Sequence, residues 1–150
     1  MIHHLYHRSV SVAEQIYNVQ KVSYAQEARW MENHSLPPLS EKTDDIQASD
    51  ETFWGVYDDD RLVAFIAFES LDEEIQICRL ATLPDWMNKG LGRRLLNRVL
   101  DLTGIRKFFV MTGNNNQPAL GLYESEGFSP VKDVQTEEGI TLTVLEYYPA

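Results

Sequence analysis

The fold is decided by the segment Pro84-Asp85-Trp86-Met87-Asn88-Lys89-Gly90-Leu91-Gly92-Arg93-Arg94-Leu95-Leu96. An apolar run, Ile75 to Leu83, precedes it and predicts a strand, and apolar residues at helical spacing follow its two glycines. A strand, a glycine turn and a helix in this order can direct free backbone N–H groups at a phosphate. Because glycine has no Cβ, the backbone of such a turn can approach a ligand closely. The pattern alone leaves two interpretations open, a phosphate-binding turn and an ordinary turn.

Basic residues cluster at this turn in a chain that is otherwise acidic. The 150 residues include 13 Lys+Arg and 23 Asp+Glu, for a formal net charge of -10. Lys89, Arg93, Arg94 and Arg98 nevertheless lie close together, which favours an anionic ligand over a merely solvated helix face. We expect Arg98 to be solvated and take Lys89 and Arg93 as the better ligand candidates. The acidic balance argues against nucleic acid as a main partner.

A second segment, Asn116-Gln117-Pro118-Ala119-Leu120-Gly121-Leu122-Tyr123-Glu124-Ser125-Glu126-Gly127-Phe128, predicts a short helix between strands. Asn116 is a suitable N-cap, and Pro118 falls in the first turn, where proline is tolerated. Gly127 is a natural helix stop in the left-handed conformation. Tyr123 by itself has two interpretations, a core residue with its hydroxyl at the rim or a functional group.

Together the two segments resemble the signatures of the GNAT (Gcn5-related N-acetyltransferase) superfamily, Gln/Arg-x-x-Gly-x-Gly/Ala and Asn-x-x-Ala-x-x-Leu-Tyr-x-x-x-Gly-Phe. Every defining position matches except one, where Met87 stands in place of Gln or Arg. The resemblance implies acetyl-CoA as cosubstrate, with backbone amides holding its pyrophosphate and Tyr123 protonating the departing thiolate. The residues it assigns to acetyl-CoA are Leu80, Ala81, Thr82, Met87, Asn88, Lys89, Gly90, Leu91, Gly92, Arg93, Asn116, Ala119 and Tyr123.

The order of predicted elements agrees with the fold that the resemblance implies. We expect one domain over residues 1–150, with an α/β (α+β) fold, a mixed and mostly antiparallel sheet of six to seven strands, and helices on both faces. The two central strands should splay into a V that admits acetyl-CoA. The predicted strands are 2–7, Phe53 to Tyr57, Leu62 to Phe68, Ile75 to Leu83, Lys107 to Met111, Gly127 to Val134 and Ile140 to Tyr148. The first predicted helix begins at the capping box Ser11 to Glu14 and runs to about Tyr24, and one or two further helical turns are expected within 25–33. The other predicted helices are Ser40 to Ala48, 89–103 and the helix that contains Tyr123.

The acceptor side is less determined than the donor side. Acetyl transfer needs a base for the amine proton, and the two alternatives are Glu74, in an acidic turn, and a water relay. Arg79 interrupts an apolar strand, so we expect either an internal salt bridge, with Glu27 or Glu69, or a contact with a carboxylate of the acceptor. Candidate acceptor residues are Tyr24, Glu27, Trp30 and Arg79, with His34 nearby.

Composition limits the remaining possibilities. Cys78 is the one cysteine, so no intramolecular disulfide forms, and we expect it to be buried and inert. His3, His4 and His7 lack companions at ligand spacing, so no metal is expected. The absence of a long apolar run or of a signal core predicts a cytoplasmic protein without a membrane partner. We expect a monomer or homodimer.

These observations predict an acetyl-CoA-dependent N-acetyltransferase that acts on a primary amine of a small molecule or peptide. A non-catalytic acetyl-CoA- or CoA-binding regulatory module is the alternative, supported by Met87 and by the lack of a carboxylate on the strand before the Tyr123 helix. An unrelated phosphate-binding α/β domain would explain the glycine turn but not the second segment. The acidic net charge favours a cationic acceptor, whereas Arg79 at the acceptor would favour an amine that carries a carboxylate.

Overall fold

A computed structural model of the chain describes the backbone of residues 1–31 and 41–150, and the side chains of these residues except for 26–31. The strands are β1 (Ile2–Leu5), β2 (Thr52–Asp58), β3 (Arg61–Leu71), β4 (Glu74–Thr82), β5 (Lys107–Gly113), β6 (Ser129–Gln135) and β7 (Thr141–Tyr147). The helices are α1 (Val10–Met31), α2 (Thr43–Ala48), α3 (Leu91–Leu100) and α4 (Gln117–Ser125), and Pro84–Trp86 forms a 3₁₀ turn.

One sheet contains the seven strands in the order β1-β2-β3-β4-β5-β7-β6. The neighbours are antiparallel except for β4 and β5, which are parallel. All positions of β3 from Leu62 to Phe68 are buried, so both faces of the sheet are covered there. α1 and α3 both pack against β3. The predicted mixed, mostly antiparallel sheet covered by helices is confirmed.

The central pair of strands separates partway along its length. β4 and β5 pair at four positions, from Glu74 opposite Lys107 to Ile77 opposite Val110. Beyond them β4 continues beside β3 as far as Thr82, and β5 continues beside β7 as far as Gly113. The two strands therefore diverge after Ile77 and Val110, which confirms the predicted V.

A β-bulge lies where the separation begins. Phe68 of β3 is opposite Ile77, but Ala67 is opposite Arg79, so Cys78 is an extra residue in β4. Such a residue interrupts the regular alternation of side chains and bends the strand. The apolar sequence of β4 carries no sign of this bulge.

The helix starts differ from the predictions in the first third of the chain. α1 begins at Val10, where the Ala13 amide donates to the Ser9 carbonyl at 2.9 Å, so the proposed capping box at Ser11 is wrong. α1 also continues to Met31 as one helix. α2 begins at Thr43 and not at Ser40, which lies outside the described residues.

The helices of the two signature segments begin as their sequences predict. Gly90 precedes α3 with a φ of 80°, in the left-handed region that glycine adopts without strain. Asn116 caps α4, since its Oδ1 accepts a hydrogen bond from the Ala119 amide at 3.3 Å. α3, at Leu91–Leu100, is shorter than predicted. Within residues 1–31 and 41–150 no helix has the length and apolarity needed to cross a membrane.

Candidate active site

A cleft of about 640 Å³ opens where β4 and β5 diverge. Its walls come from α1, β4, the turn before α3, the end of β5, α4 and the β6–β7 hairpin. The lining residues that the sequence predicts are Tyr24, Arg79, Leu80, Thr82, Met87, Asn88, Gly90, Leu91, Gly92, Arg93, Asn116, Ala119 and Tyr123. The structure thus brings both signature segments to one cavity.

The glycine turn presents the N-terminus of α3 to this cleft. Arg94 donates to the Gly90 carbonyl at 3.0 Å, which is the first hydrogen bond of the helical ladder. The preceding amides of Leu91, Gly92 and Arg93 therefore have no intrahelical acceptor, and the positive end of the helix dipole lies with them. An anion placed here would meet aligned donors.

Gly92 leaves space at the start of α3, between two leucines that line the cleft. A Cβ at this position would lie 3.8 Å from Leu122 Cδ2 and 3.9 Å from Leu80 Cδ2. These are ordinary contact distances, so the protein itself could accept alanine here. The side-chain-free surface at Gly92 is space that a ligand can use.

Two residues assigned to acetyl-CoA do not line the cleft. Ala81 is 2% exposed and belongs to the core, because alternate residues of β4 face opposite sides of the sheet. Lys89 is exposed, and its Nζ lies 5.9 Å from the centroid of the Trp86 ring. The expected contact of Ala81 with acetyl-CoA is through its backbone and stays a prediction, whereas the Lys89 side chain lies beside Trp86, which lines the cleft.

Tyr123 and Asn116 lie on the α4 side of the cleft, and each is 4% exposed. The Tyr123 ring packs edge-to-face on Phe128 at a centroid distance of 5.4 Å. This contact limits the orientations of the ring. α4 therefore supplies a restrained phenol to the cavity that also contains the N-terminus of α3.

Arg93 connects the two helices instead of projecting freely. Its Nη1 donates to Ser125 Oγ at 2.8 Å and pairs with Glu126 at the end of α4. The side chain is 46% exposed, so it lies at the edge of the cleft. The sequence identified Arg93 as a ligand candidate but not its partner in α4.

Glu74 lies away from the cleft, at the closed end of the V. It pairs with Arg106 and approaches Lys107 Nζ at 3.5 Å. Six positions of β4 separate it from Leu80, a distance of about 20 Å along a strand. Glu74 does not line the cleft, whose first lining residue on β4 is Ile77, so the structure does not support the expectation that Glu74 is the general base.

Arg79 forms an internal ion-pair cluster. Its Nε and Nη2 each donate to Glu51 at 2.9 Å, and its Nη1 and Nη2 donate to Glu41 at 2.5 and 2.9 Å. Nη1 also donates to Gln20 Oε1 at 3.0 Å. These contacts account for all five N–H groups of the guanidinium. The prediction that Arg79 forms an internal salt bridge is thus confirmed. The partners differ from the prediction, because they are Glu41 and Glu51 and not Glu69.

The cluster changes the acidity of its members. Burial favours the neutral form of Glu51, but hydrogen bonds from Arg79 and Ser49 outweigh it and hold the pKa of this carboxyl below its ordinary value. Burial likewise opposes the charge on Arg79, yet its bonds to Glu51 and Glu41 raise the pKa of the guanidinium. Both groups are charged at neutral pH. Their mutual attraction compensates for their loss of water contact.

Cys78 is exposed and lines the cleft, so the expectation of a buried cysteine is wrong. The bulge is the physical reason, because it breaks the alternation that would have turned this side chain inward. Partial desolvation and the nearby charges of Glu51 and Glu69 raise the pKa of the thiol to about 12. The expected low reactivity therefore has an electrostatic cause.

Several residues that line the cleft were not identified from the sequence. They include Ser23, Cys78, Trp86, Met111, Thr136, Ile140 and Leu142. Only Trp86 had a local signal, since it lies within the first signature. The side chains of Glu27 and Trp30, and all of His34, lie outside the described residues. In the part of the chain described, no group of three metal-ligating side chains could hold an ion.

Residues 13–128 match the sequence model of the acetyltransferase (GNAT) family. UPF0157 protein YqkA of Bacillus subtilis (strain 168) is 37% identical over 150 residues, which are 99% of this chain and 44% of that protein. The chain therefore spans less than half the length of this relative.

Solved structures of low sequence identity share the fold. The ribosomal-protein-S18-alanine N-acetyltransferase from Escherichia coli has a TM-score of 0.77 and 18% identity, covering 99% of this chain and 92% of the other. The PaiA N-acetyltransferase from Thermoplasma acidophilum in complex with coenzyme A has a TM-score of 0.69 and 21% identity, covering 99% and 98%.

Proposed function

Because this chain belongs to the GNAT family of acetyltransferases, we propose that it transfers an acetyl group from acetyl-CoA directly to a primary amine of a small molecule or peptide. In this proposal Tyr123 is the general acid. The donor would be held by the amides of Leu91, Gly92 and Arg93 and by the diverging part of β4, with Asn116 beside it.

A single observation carries this proposal: the N-terminus of α3 and the side chain of Tyr123 line the same cleft. An anion-binding turn alone would suit any phosphate ligand. A proton donor in the same cavity suits a reaction in which a leaving group acquires negative charge. A thioester donor whose phosphates bind the turn meets both requirements.

The chemistry places few demands on the protein. The amine nitrogen forms a bond to the thioester carbonyl carbon, the carbon–sulfur bond breaks, and the electron pair of that bond leaves on sulfur. Tyr123 donates its phenolic proton to the thiolate and regains one as the amine loses its own. Backbone N–H groups at the diverging edge of β4 would stabilise the oxyanion.

The base is best assigned to water. Glu74 is remote, and Glu51 is paired with Arg79 and more acidic than usual. Ser23, Tyr24 and the β6–β7 hairpin also line the cavity. A water chain through it would carry the amine proton to solvent, with Tyr24, Glu27 and Trp30 remaining proposed acceptor residues.

The alternative is a module that binds acetyl-CoA without turning it over, and Met87 is the observation in its favour. Two measurements separate the proposals. Acetyl-CoA should raise the melting temperature, and thiol release should follow when amines are added as separate pools of polyamines, aminoglycosides, amino acids and peptides. Stabilisation without thiol release in any pool would favour the module, and the lack of stabilisation would exclude both.

A further inference from the structure

One face of α1 forms a wall of the cleft. Ser23 and Tyr24 line the cavity and are 2% and 8% exposed. Gln20 lies three and four positions before them, so the three side chains share one face of the helix. Gln20 is itself 2% exposed. Whatever holds Gln20 in place therefore also sets the position of this wall.

Gln20 is held by the ion-pair cluster of Arg79. Its Oε1 accepts from Arg79 at 3.0 Å, and its Nε2 donates to Glu41 at 2.7 Å. The Arg79 side chain is 11% exposed, and its Cζ lies 5.4 Å from the centroid of the Phe53 ring. A guanidinium with every donor occupied and an aromatic ring beneath it has little freedom to move.

Arg79 also directly follows the bulge in β4. Cys78, the extra residue, is adjacent to the last position at which β4 pairs with β5. A bulged residue is not fixed by regular ladder hydrogen bonds. The side chain of Arg79 thus connects the point where the V opens to α1 through Gln20 and to the segment before β2 through Glu51.

We propose that Arg79 is a positioning residue that holds the Ser23–Tyr24 face of α1 at a fixed distance from the bulge of β4, and thereby sets the affinity for the amine acceptor. Gln20 lies on α1, whereas the proposed donor contacts lie on β4, the turn before α3 and α4, so loss of the Gln20 contact alone should affect the acceptor and not acetyl-CoA. This inference rests on the proposed function for its kinetic test. A misplacement of about 1 Å in such a wall is enough to change binding.

Gln20→Met is the sharpest test, because methionine has a similar volume and both ion pairs of Arg79 remain. Arg79→Lys is the second variant, because lysine keeps the charge but loses the planar fork. The matched control is Gln47→Met, since Gln47 also loses a side-chain hydrogen bond, at 2.9 Å to the Arg8 carbonyl, but lies outside the cleft lining. The probe acceptors are spermidine and a peptide with an N-terminal alanine.

We expect the KM for the acceptor to rise about tenfold in both test variants. In Gln20→Met, which leaves β4 and both ion pairs of Arg79 in place, kcat and the acetyl-CoA Kd should stay within about twofold of wild type. If Gln20 and Arg79 only stabilised the fold, the variants would contain a smaller fraction of active protein. The apparent kcat would then fall and the KM for the acceptor would stay unchanged. A normal acceptor KM in both variants would overturn the inference, as would a loss of acetyl-CoA affinity in Gln20→Met as large as its rise in acceptor KM.

Amide hydrogen exchange tests the same inference without turnover. Residues 19–24 of α1 should exchange at least about tenfold faster in Gln20→Met and Arg79→Lys than in Gln47→Met. If wild type acetylates neither probe, the proposed function fails for these acceptors, and exchange alone decides whether Arg79 positions α1. Unchanged exchange in both test variants would then overturn the inference.

Discussion

The side chain of Arg93 on the first turn of α3 pairs with Glu126, the C-cap residue of α4. The glycine turn and Tyr123 are thus carried by two helices joined by an ion pair at the edge of the cleft. The pair also neutralises a cation beside the proposed phosphate site.

Glu126→Gln should therefore tighten acetyl-CoA binding. Loss of the carboxylate frees Arg93 for the phosphates, and the expected gain is about threefold at low salt, the scale of a half-exposed ion pair. Glu124→Gln is the control, because it removes the same charge from an exposed position on the same helix. Calorimetric titration measures both affinities. Equal values for the two variants would contradict a specific role of the pair.

Tyr123→Phe should lower kcat about a hundredfold and leave the acetyl-CoA Kd within about twofold, because proton donation to the thiolate is lost. Thiol release at saturating acceptor measures the rate. Tyr148→Phe is the control, since its hydroxyl donates to Glu146 at 2.8 Å on an exposed surface. Full activity in Tyr123→Phe would show that another group is the acid.

Gly90→Ala should destabilise the protein and weaken acetyl-CoA binding together. Gly90 has a φ of 80° with open space around it, so alanine costs about 1 kcal/mol of backbone strain and distorts the turn. Gly104→Ala is closely matched, with a φ of 76° and open space, but it lies after α3 and outside the cleft lining. Chemical denaturation should give similar losses for both, whereas only Gly90→Ala should lose acetyl-CoA affinity.

Acid should remove the stabilisation that Glu51 provides. Its pKa is lowered by the hydrogen bonds of Arg79 and Ser49, so its contribution is complete above the ordinary carboxyl pKa of 4.5 and is lost as pH falls through the lower folded value. Glu51→Gln should reduce the free energy of unfolding by at least about 1 kcal/mol at pH 7. This difference should shrink below pH 4.5. Asp50→Asn, whose side chain is 89% exposed, is the control and should change the free energy of unfolding at pH 7 by less than about 0.5 kcal/mol.

Cys78 should react slowly despite its exposure. With a thiol pKa of about 12, the thiolate fraction at pH 8 is small, and alkylation by iodoacetamide should be at least about tenfold slower than for free cysteine. The rate should keep rising with pH to at least pH 10. Glu51→Gln should accelerate it, because a neighbouring negative charge is removed. A plateau near pH 9 would show an ordinary thiol.

Local patterns in the sequence predicted most of the fold. The β2–β3 hairpin, the strand before Pro84 and the caps of α4 each depend on residues close together in the chain. The V was expected because the two signature segments resemble those of a family in which the strands before these helices splay apart.

Long-range features were not predictable in the same way. The partners of Arg79 lie 38 and 28 positions away, and the apolar sequence of β4 gives no sign that Cys78 is bulged outward. Residues of the β6–β7 hairpin, such as Ile140, line the cleft because β7 lies between β5 and β6 in the sheet. No local pattern in the sequence predicts this strand order.

The strand order also has a consequence for the way the cavity is made. β2, β3 and β4 are neighbours in sequence and in space and are joined by short turns, so their contacts can form early at low entropic cost. β7 must instead insert between β5 and β6. We expect a nascent chain that ends before β7 to contain the β2–β4 meander without a cavity for acetyl-CoA. Acetyl-CoA could then bind and stabilise the fold only after β7 has been added.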